Sequence, residues 1–172
     1  MDVNLNKSIL PNLALVLIDM QDSFIHIEER KIIPNQIAIL RFCKRNHVPV
    51  VIVEYIAEGR TVPRLLRETQ KIPSDSLYKI IKEYDSAFVK TKLEEILESL
   101  SAQYLLITGV KACACVHQTV SDAVAKGFKI ITASDLIAGY CNNCSPKREE
   151  SWYKSTVIYF DNHKQILRQV TS

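Results

Sequence analysis

The sequence predicts a three-layer α/β/α protein built on a mainly parallel sheet of roughly six strands. Two observations carry this expectation. Six short runs rich in β-branched and apolar residues recur along the chain without clean polar alternation, as strands buried on both faces do. Between them lie segments whose apolar residues fall on one helical stripe, and strand alternating with helix implies βαβ units with helices on both faces of the sheet.

In chain order, "LALVLIDM" (13–20) supplies the first strand and "IPNQIAILRFCKRNH" (33–47) the first helix, with Ile37, Ile39, Leu40 and Cys43 on its apolar stripe. "VPVVIVEY" (48–55) and "SLYKIIK" (76–82) follow as strands. "TKLEEILESL" (91–100) is a helix with Leu93, Ile96, Leu97 and Leu100 on one side, and Thr91 and Glu94 have the spacing of a capping box. "YLLITGV" (104–110) is the fourth strand, and it runs into a helix over "CVHQTVSDAVAKG" (115–127), which Gly127 ends as a left-handed cap. "FKIITASD" (128–135), a helix over "PKREESWYK" (146–154) and "TVIYF" (156–160) complete the series. No repeat, low-complexity tract or linker interrupts it, so one domain over residues 1–172 is expected.

Bulk properties narrow the function. A chain of 172 residues suits one hydrophobic core. With 22 basic against 19 acidic residues the net charge is only +3, and no basic run offers a surface for a phosphate backbone, so nucleic acid is not an expected partner. No stretch of about 18 uncharged apolar residues exists to span a bilayer, and "MDVNLNKSILPN" lacks the charged and apolar regions of a secretory leader. A cytoplasmic protein without a membrane partner is the expectation. In that reducing setting an odd set of five cysteines is not a disulfide framework. Cys141 and Cys144 have a C-x-x-C spacing, but no second pair with metal spacing accompanies it and it does not open a helix after a strand. His26, His47, His117 and His163 are scattered, so no metal and no cofactor are expected.

Active sites of such sheets form at the carboxyl ends of the strands. There the first strand ends in Asp19, the third in Lys82, and the fourth leads through Gly109 into "GVKACACVHQT" (109–119). An acid, an amine and a thiol thus meet on one edge if their strands are neighbours. Of the two thiols in that turn, Cys115 stands at the start of a helix, where free amides and the positive dipole end lower a thiol pKa; Cys113 has no such position. His117 points about 200° around the helix from Cys115 and is a poor base for it.

These residues resemble a known family. "LVLIDMQDSF", "KEYDSAF" and "LLITGVKACACVHQTVSDAVAKGFKIITASD" are similar to the three signature blocks of the isochorismatase-like cysteine hydrolases, which include nicotinamidases and N-carbamoylsarcosine amidohydrolases. The blocks cover about half the chain and stand in the family's order. The resemblance implies a catalytic triad of Asp19, Lys82 and Cys115, since the family's cysteine also precedes a valine and stands six residues after the glycine. It implies an oxyanion site from main-chain amides of Lys111, Ala114 and Cys115, and a cis peptide near Val110–Lys111. Gln21, Phe24 and Phe88 are candidate pocket residues, with Asp22 and Ser86 nearby. It further implies a small-molecule amide substrate and a homo-oligomer.

Departures shape the expectation. Nicotinamidases hold a metal through an Asp and two His after the second strand, and "VEYIAEGRTVPRLLRETQ" contains no histidine. True isochorismatases lack the nucleophilic cysteine. The expected activity is metal-independent hydrolysis of a C–N amide bond through a thioester. The rival expectations are a non-catalytic binding or assembly protein that keeps the fold, and a thiol redox sensor using Cys113 and Cys115. A nucleotide-binding domain is disfavoured because no glycine-rich phosphate loop follows the first strand.

Overall fold

The computed structural model describes residues 5–140 and 145–171. In its central strand, β1 (Leu13–Ile18), every residue is buried. Leu13, Leu15 and Leu17 enter one apolar core while Ala14, Val16 and Ile18 enter another, because successive side chains of a strand point to opposite faces. The same division separates Val50 and Ile52 from Val51 and Val53 in β2 (Val50–Tyr55). Runs without polar alternation are thus strands with a core on each side.

The sheet continues through β3 (Leu77–Lys82), β4 (Tyr104–Val110), β5 (Lys129–Ala133), a two-residue β6 (Ile137–Ala138) and β7 (Ile158–Phe160). Its order is β3-β2-β1-β4-β5-β7, with β6 pairing on β4, and every pairing between these strands is parallel. Among the described residues six α-helices cover it: α1 (Ile33–Asn46), α2 (Pro63–Thr69), α3 (Leu93–Ser99), α4 (Cys115–Ala125), α5 (Pro146–Thr156) and α6 (His163–Thr171). Residues of α1, α2 and α6 join the core of Leu15, and those of α3, α4 and α5 the core of Val16. The α/β/α layering is as the sequence predicts.

Local chemistry sets the helix ends. Proline occupies the first turn of α1, α2 and α5, where its missing N–H costs no hydrogen bond. Gly127, at φ +90°, closes α4 as expected: its N–H donates to Val124 and that of Phe128 to Ala123, the double bond of a Schellman motif. Only the threonine half of the predicted box forms, because Glu94 pairs with Lys126. Helix α3 starts at Leu93 after Lys92, and the Thr91 hydroxyl accepts from the Leu93 N–H and donates to the Ala87 carbonyl. Helices α2 and α6 and the short β6 are additions to the expected elements. Among the described residues no helix is long and apolar enough to cross a membrane.

Candidate functional site

At the carboxyl edge of the sheet the chain leaves β1 and β4 through strained residues. Asp19 has φ +52° and Lys111 φ +64°, a region that L residues enter seldom and that clusters at functional sites. Between them, Gly109 pairs with Ile18, and a Cβ on it would stand 2.2 Å from the Ile18 carbonyl oxygen. Only glycine lets β4 pass this close to the residue before Asp19.

The acid, amine and thiol do come together, although not through adjacent strands. Strand β2 separates β3 from β1. Lys82 stands beside Tyr55 in register and extends its long side chain over the Tyr55 ring, Nζ 4.5 Å from the centroid, to reach Asp19 Oδ2 at 2.8 Å. Both side chains are 0% exposed. Neither Asp19 oxygen accepts a hydrogen bond of regular geometry among the described residues, although Lys82 and the Cys115 thiol both lie close enough to favour its carboxylate. Lys82 Nζ also donates to the Tyr84 carbonyl at 3.1 Å. Cys115 is the first residue of α4, 5% exposed, with its thiol 3.8 Å from Asp85 Oδ1.

Electrostatics correct one expectation. The Cys115 thiol is pushed up to about 12, first by burial and then by the negative charge of Asp19, with Lys82 pulling the other way. Burial and the Asp19 charge both favour the neutral thiol over the thiolate. Burial likewise raises the Asp19 carboxyl above its ordinary value, against the opposing pull of Lys82 and of the Cys115 thiol. A cluster of carboxylate, ammonium and neutral thiol carries no net charge; ionising the thiol outright would bury an uncompensated one.

The 111–115 turn departs from the resemblance in two respects. Every described peptide bond is trans, so none is cis near Val110–Lys111; the left-handed Lys111 makes the turn instead. The Ala114 amide donates to the Lys111 carbonyl at 2.9 Å and is not free for a ligand. Among the described residues the amides of Lys111 and Cys115 donate to no main-chain carbonyl, whereas Ala112 and Val116 are also committed. Gly139 lies against the Lys111 amide, where a Cβ would come within 3.0 Å of the nitrogen. The hydroxyl of Tyr153, fully buried on α5, donates to the Ala112 carbonyl at 2.6 Å and so braces this turn.

The candidate pocket residues divide. Phe24 meets Tyr55 edge-on at 6.0 Å and carries the Lys111 ammonium 5.7 Å above its ring, which places it in the wall beside the pair. Gln21 is not a ligand donor: its amide is spent on the main chain of Tyr55 and Gly59, tying β2 to the loop after β1. Phe88 stacks on Phe128, beyond the far end of α4 from Cys115, and so faces a core rather than the site. Asp22 is exposed and pairs with Arg30, and Ser86 donates to Asp122. His117 stacks on Trp152 at 3.8 Å and meets Glu149, fastening α4 to α5. Cys43 is buried in a core; Cys141 and Cys144 lie outside the described residues. Sequence reasoning passed over Asp85, although its place three residues beyond a strand-terminal lysine was a usable signal, and it passed over Tyr55, which only the strand register brings beneath Lys82.

Fold and cluster define a class: a parallel α/β sheet with a buried carboxylate–ammonium pair facing a helix-terminal thiol at its carboxyl edge. The isochorismatase domain model matches residues 13–150, and the chain belongs to that family. It is 27% identical over 146 residues to nicotinamidase 3 of Arabidopsis thaliana, covering 74% of this chain and 73% of that protein. A relative from the same plant, named a probable inactive nicotinamidase, is 30% identical over 153 residues, covering 70% of this chain and 77% of its own. Among solved structures, the N-carbamoylsarcosine amidase of Thermoplasma acidophilum superposes with a TM-score of 0.75 at 21% identity, over 88% of this chain and 96% of that one. That likeness shows the shared fold.

Proposed function

We propose that the protein is a metal-independent cysteine amidohydrolase acting on a small molecule through Asp19, Lys82 and Cys115. The observation that carries this is the Asp19–Lys82 pair, fully buried at 2.8 Å and close enough to the buried Cys115 sulfur for both groups to act on the thiol. Family membership and the names of its relatives, a nicotinamidase among them, support hydrolysis of amides as the reaction class.

The raised Cys115 and Asp19 values fit proton transfer at the moment of attack. As sulfur bonds to the carbonyl carbon, its proton passes to Asp19, and the negative charge moves from carboxylate to sulfur and then to the carbonyl oxygen. Lys82 stays cationic beside each, so the buried cluster never changes its net charge. The tetrahedral oxyanion takes hydrogen bonds from the free amides of Cys115 and Lys111. Protonated Asp19 gives its proton to the leaving nitrogen, the C–N bond breaks, and a thioester remains. Water, deprotonated by Asp19, then hydrolyses the thioester to the acid and restores the thiol.

The test is ammonia or amine release from a panel of small amides and carbamoyl compounds by the protein and by Cys115→Ala. Release that the substitution abolishes is the expected result. The second reading is a binding protein that keeps the fold, favoured by one specific observation, the relative named probable inactive. No release from any amide, with Cys115 alkylated no faster than the buried Cys43, would establish that second reading.

A further inference from the structure

One carboxylate at the site has no counter-charge. Asp85, exposed on the loop after β3, puts Oδ1 3.8 Å from the Cys115 sulfur. The cations around it are engaged elsewhere. Lys82 is bound to Asp19 and the Tyr84 carbonyl; Lys90 is held by the Tyr84 hydroxyl at 2.9 Å and lies over that ring; Lys111 is turned onto Phe24. Among the described residues no Lys, Arg or His stands within ion-pair distance of Asp85.

An unneutralised anion beside a nucleophile opposes the reaction of that nucleophile. It disfavours the thiolate, and its charge adds to the rise of Asp19. A neutral ligand leaves this opposition in place and an anionic one adds to it. A ligand with a protonated nitrogen removes it, because a charge-assisted bond to Asp85 cancels the field at the sulfur. Recognition and activation then become one event.

We infer that Asp85 selects substrates bearing a cationic nitrogen, an ammonium or guanidinium placed within a few bonds of the scissile carbonyl. This rests on the reading of Cys115 as nucleophile and names the substrate class that site takes. Exposure of Asp85 against the burial of Asp19 divides the two carboxylates by role: the inner one moves the proton, the outer one holds the ligand's charge. Asp85 acts as a specificity determinant through direct contact with the ligand.

Charged thiol reagents test it directly at the sulfur, with no substrate required. In a Cys113→Ala background, rates of Cys115 modification by 2-aminoethyl and 2-sulfonatoethyl methanethiosulfonate are each divided by the rate with N-acetylcysteine, and iodoacetamide serves as the neutral reference. A cation-over-anion preference of about tenfold or more is expected. Asp85→Asn should remove it, Asp85→Glu should keep most of it, and Glu83→Gln, an exposed acid two residues away, should leave it alone. An equal ratio in the parent and Asp85→Asn, with iodoacetamide reacting normally in both, overturns the inference and leaves the nucleophile standing. A preference that depends on Asp85, found together with no hydrolysis of any amide, sustains the charge selection and removes the hydrolytic reading.

Discussion

Replacing Lys82 with methionine keeps most of the length and the apolar stem of the side chain but strips the counter-charge from Asp19. Both groups are 0% exposed, so solvent cannot take over the role of the ammonium. The deficit has a ceiling set by chemistry, because Asp19 escapes the penalty by binding a proton. For a carboxyl with an unfolded pKa near 3.9, that ceiling is about 4 kcal/mol at pH 7 and about 1.5 kcal/mol at pH 5. For a chain of this size these correspond to Tm losses of at most about 8–16 °C and about 3–6 °C. The sign follows from a folded-state pKa above the unfolded one: the penalty is full above the folded value and vanishes as pH falls to the unfolded value. Asp19→Asn combined with Lys82→Met leaves neither charge buried and should recover most of the loss. The assay is thermal unfolding by circular dichroism from pH 5 to 8. A Lys82→Met deficit that does not change with pH, or a double variant no more stable than the single one, would refute the idea that the pair is held by charge.

Two other perturbations report on the frame around the site. Gly109→Ala sets a Cβ against the Ile18 carbonyl at 2.2 Å and places alanine at φ +152°, so a loss of roughly 3–6 kcal/mol is expected. A melting temperature within 3 °C of the parent, roughly the shift of 1 kcal/mol, would show that β1 and β4 can part locally at no cost. On the surface, Arg41 and Lys71 hold the Glu68 carboxyl down to about 2, mainly by hydrogen bonds from their side chains. A depressed carboxyl stabilises above its unfolded pKa, so Glu68→Gln should cost up to about 1 kcal/mol at pH 6 and nothing near pH 2, with the difference closing below about pH 4.5. Urea unfolding at a series of pH values reads this, and a gap that widens toward acid would contradict it.

How the site could be anticipated at all depends on where its parts sit along the chain. Asp19, Lys82 and Cys115 each follow or end an apolar run, so their place at the carboxyl edge was legible from strand limits alone. Helices α2 and α6 were not, since "PRLLRET" and "HKQILRQVT" are short and mostly polar, and their few apolar residues signal a helix only once the sheet offers a face to cover. Gln21 misled for a related reason: a glutamine beside the acid suits a ligand as well as it suits the main chain, and only the path of the 55–59 loop shows which it meets.

By itself the sequence determined the layering, the parallel sheet, the edge on which the site forms and the three residues expected to act there. Periodicity and strand ends are local properties, and burial on both faces leaves few arrangements for such runs. Tertiary structure alone decided the rest. It showed that Lys82 reaches Asp19 across an intervening strand, that burial and Asp19 push the sulfur toward the thiol and that the Ala114 amide is already spent. It also showed Asp85 at the sulfur without a cation. Each of these depends on distances between segments far apart in the chain and on the solvent those segments exclude, and charge in a protein answers to both.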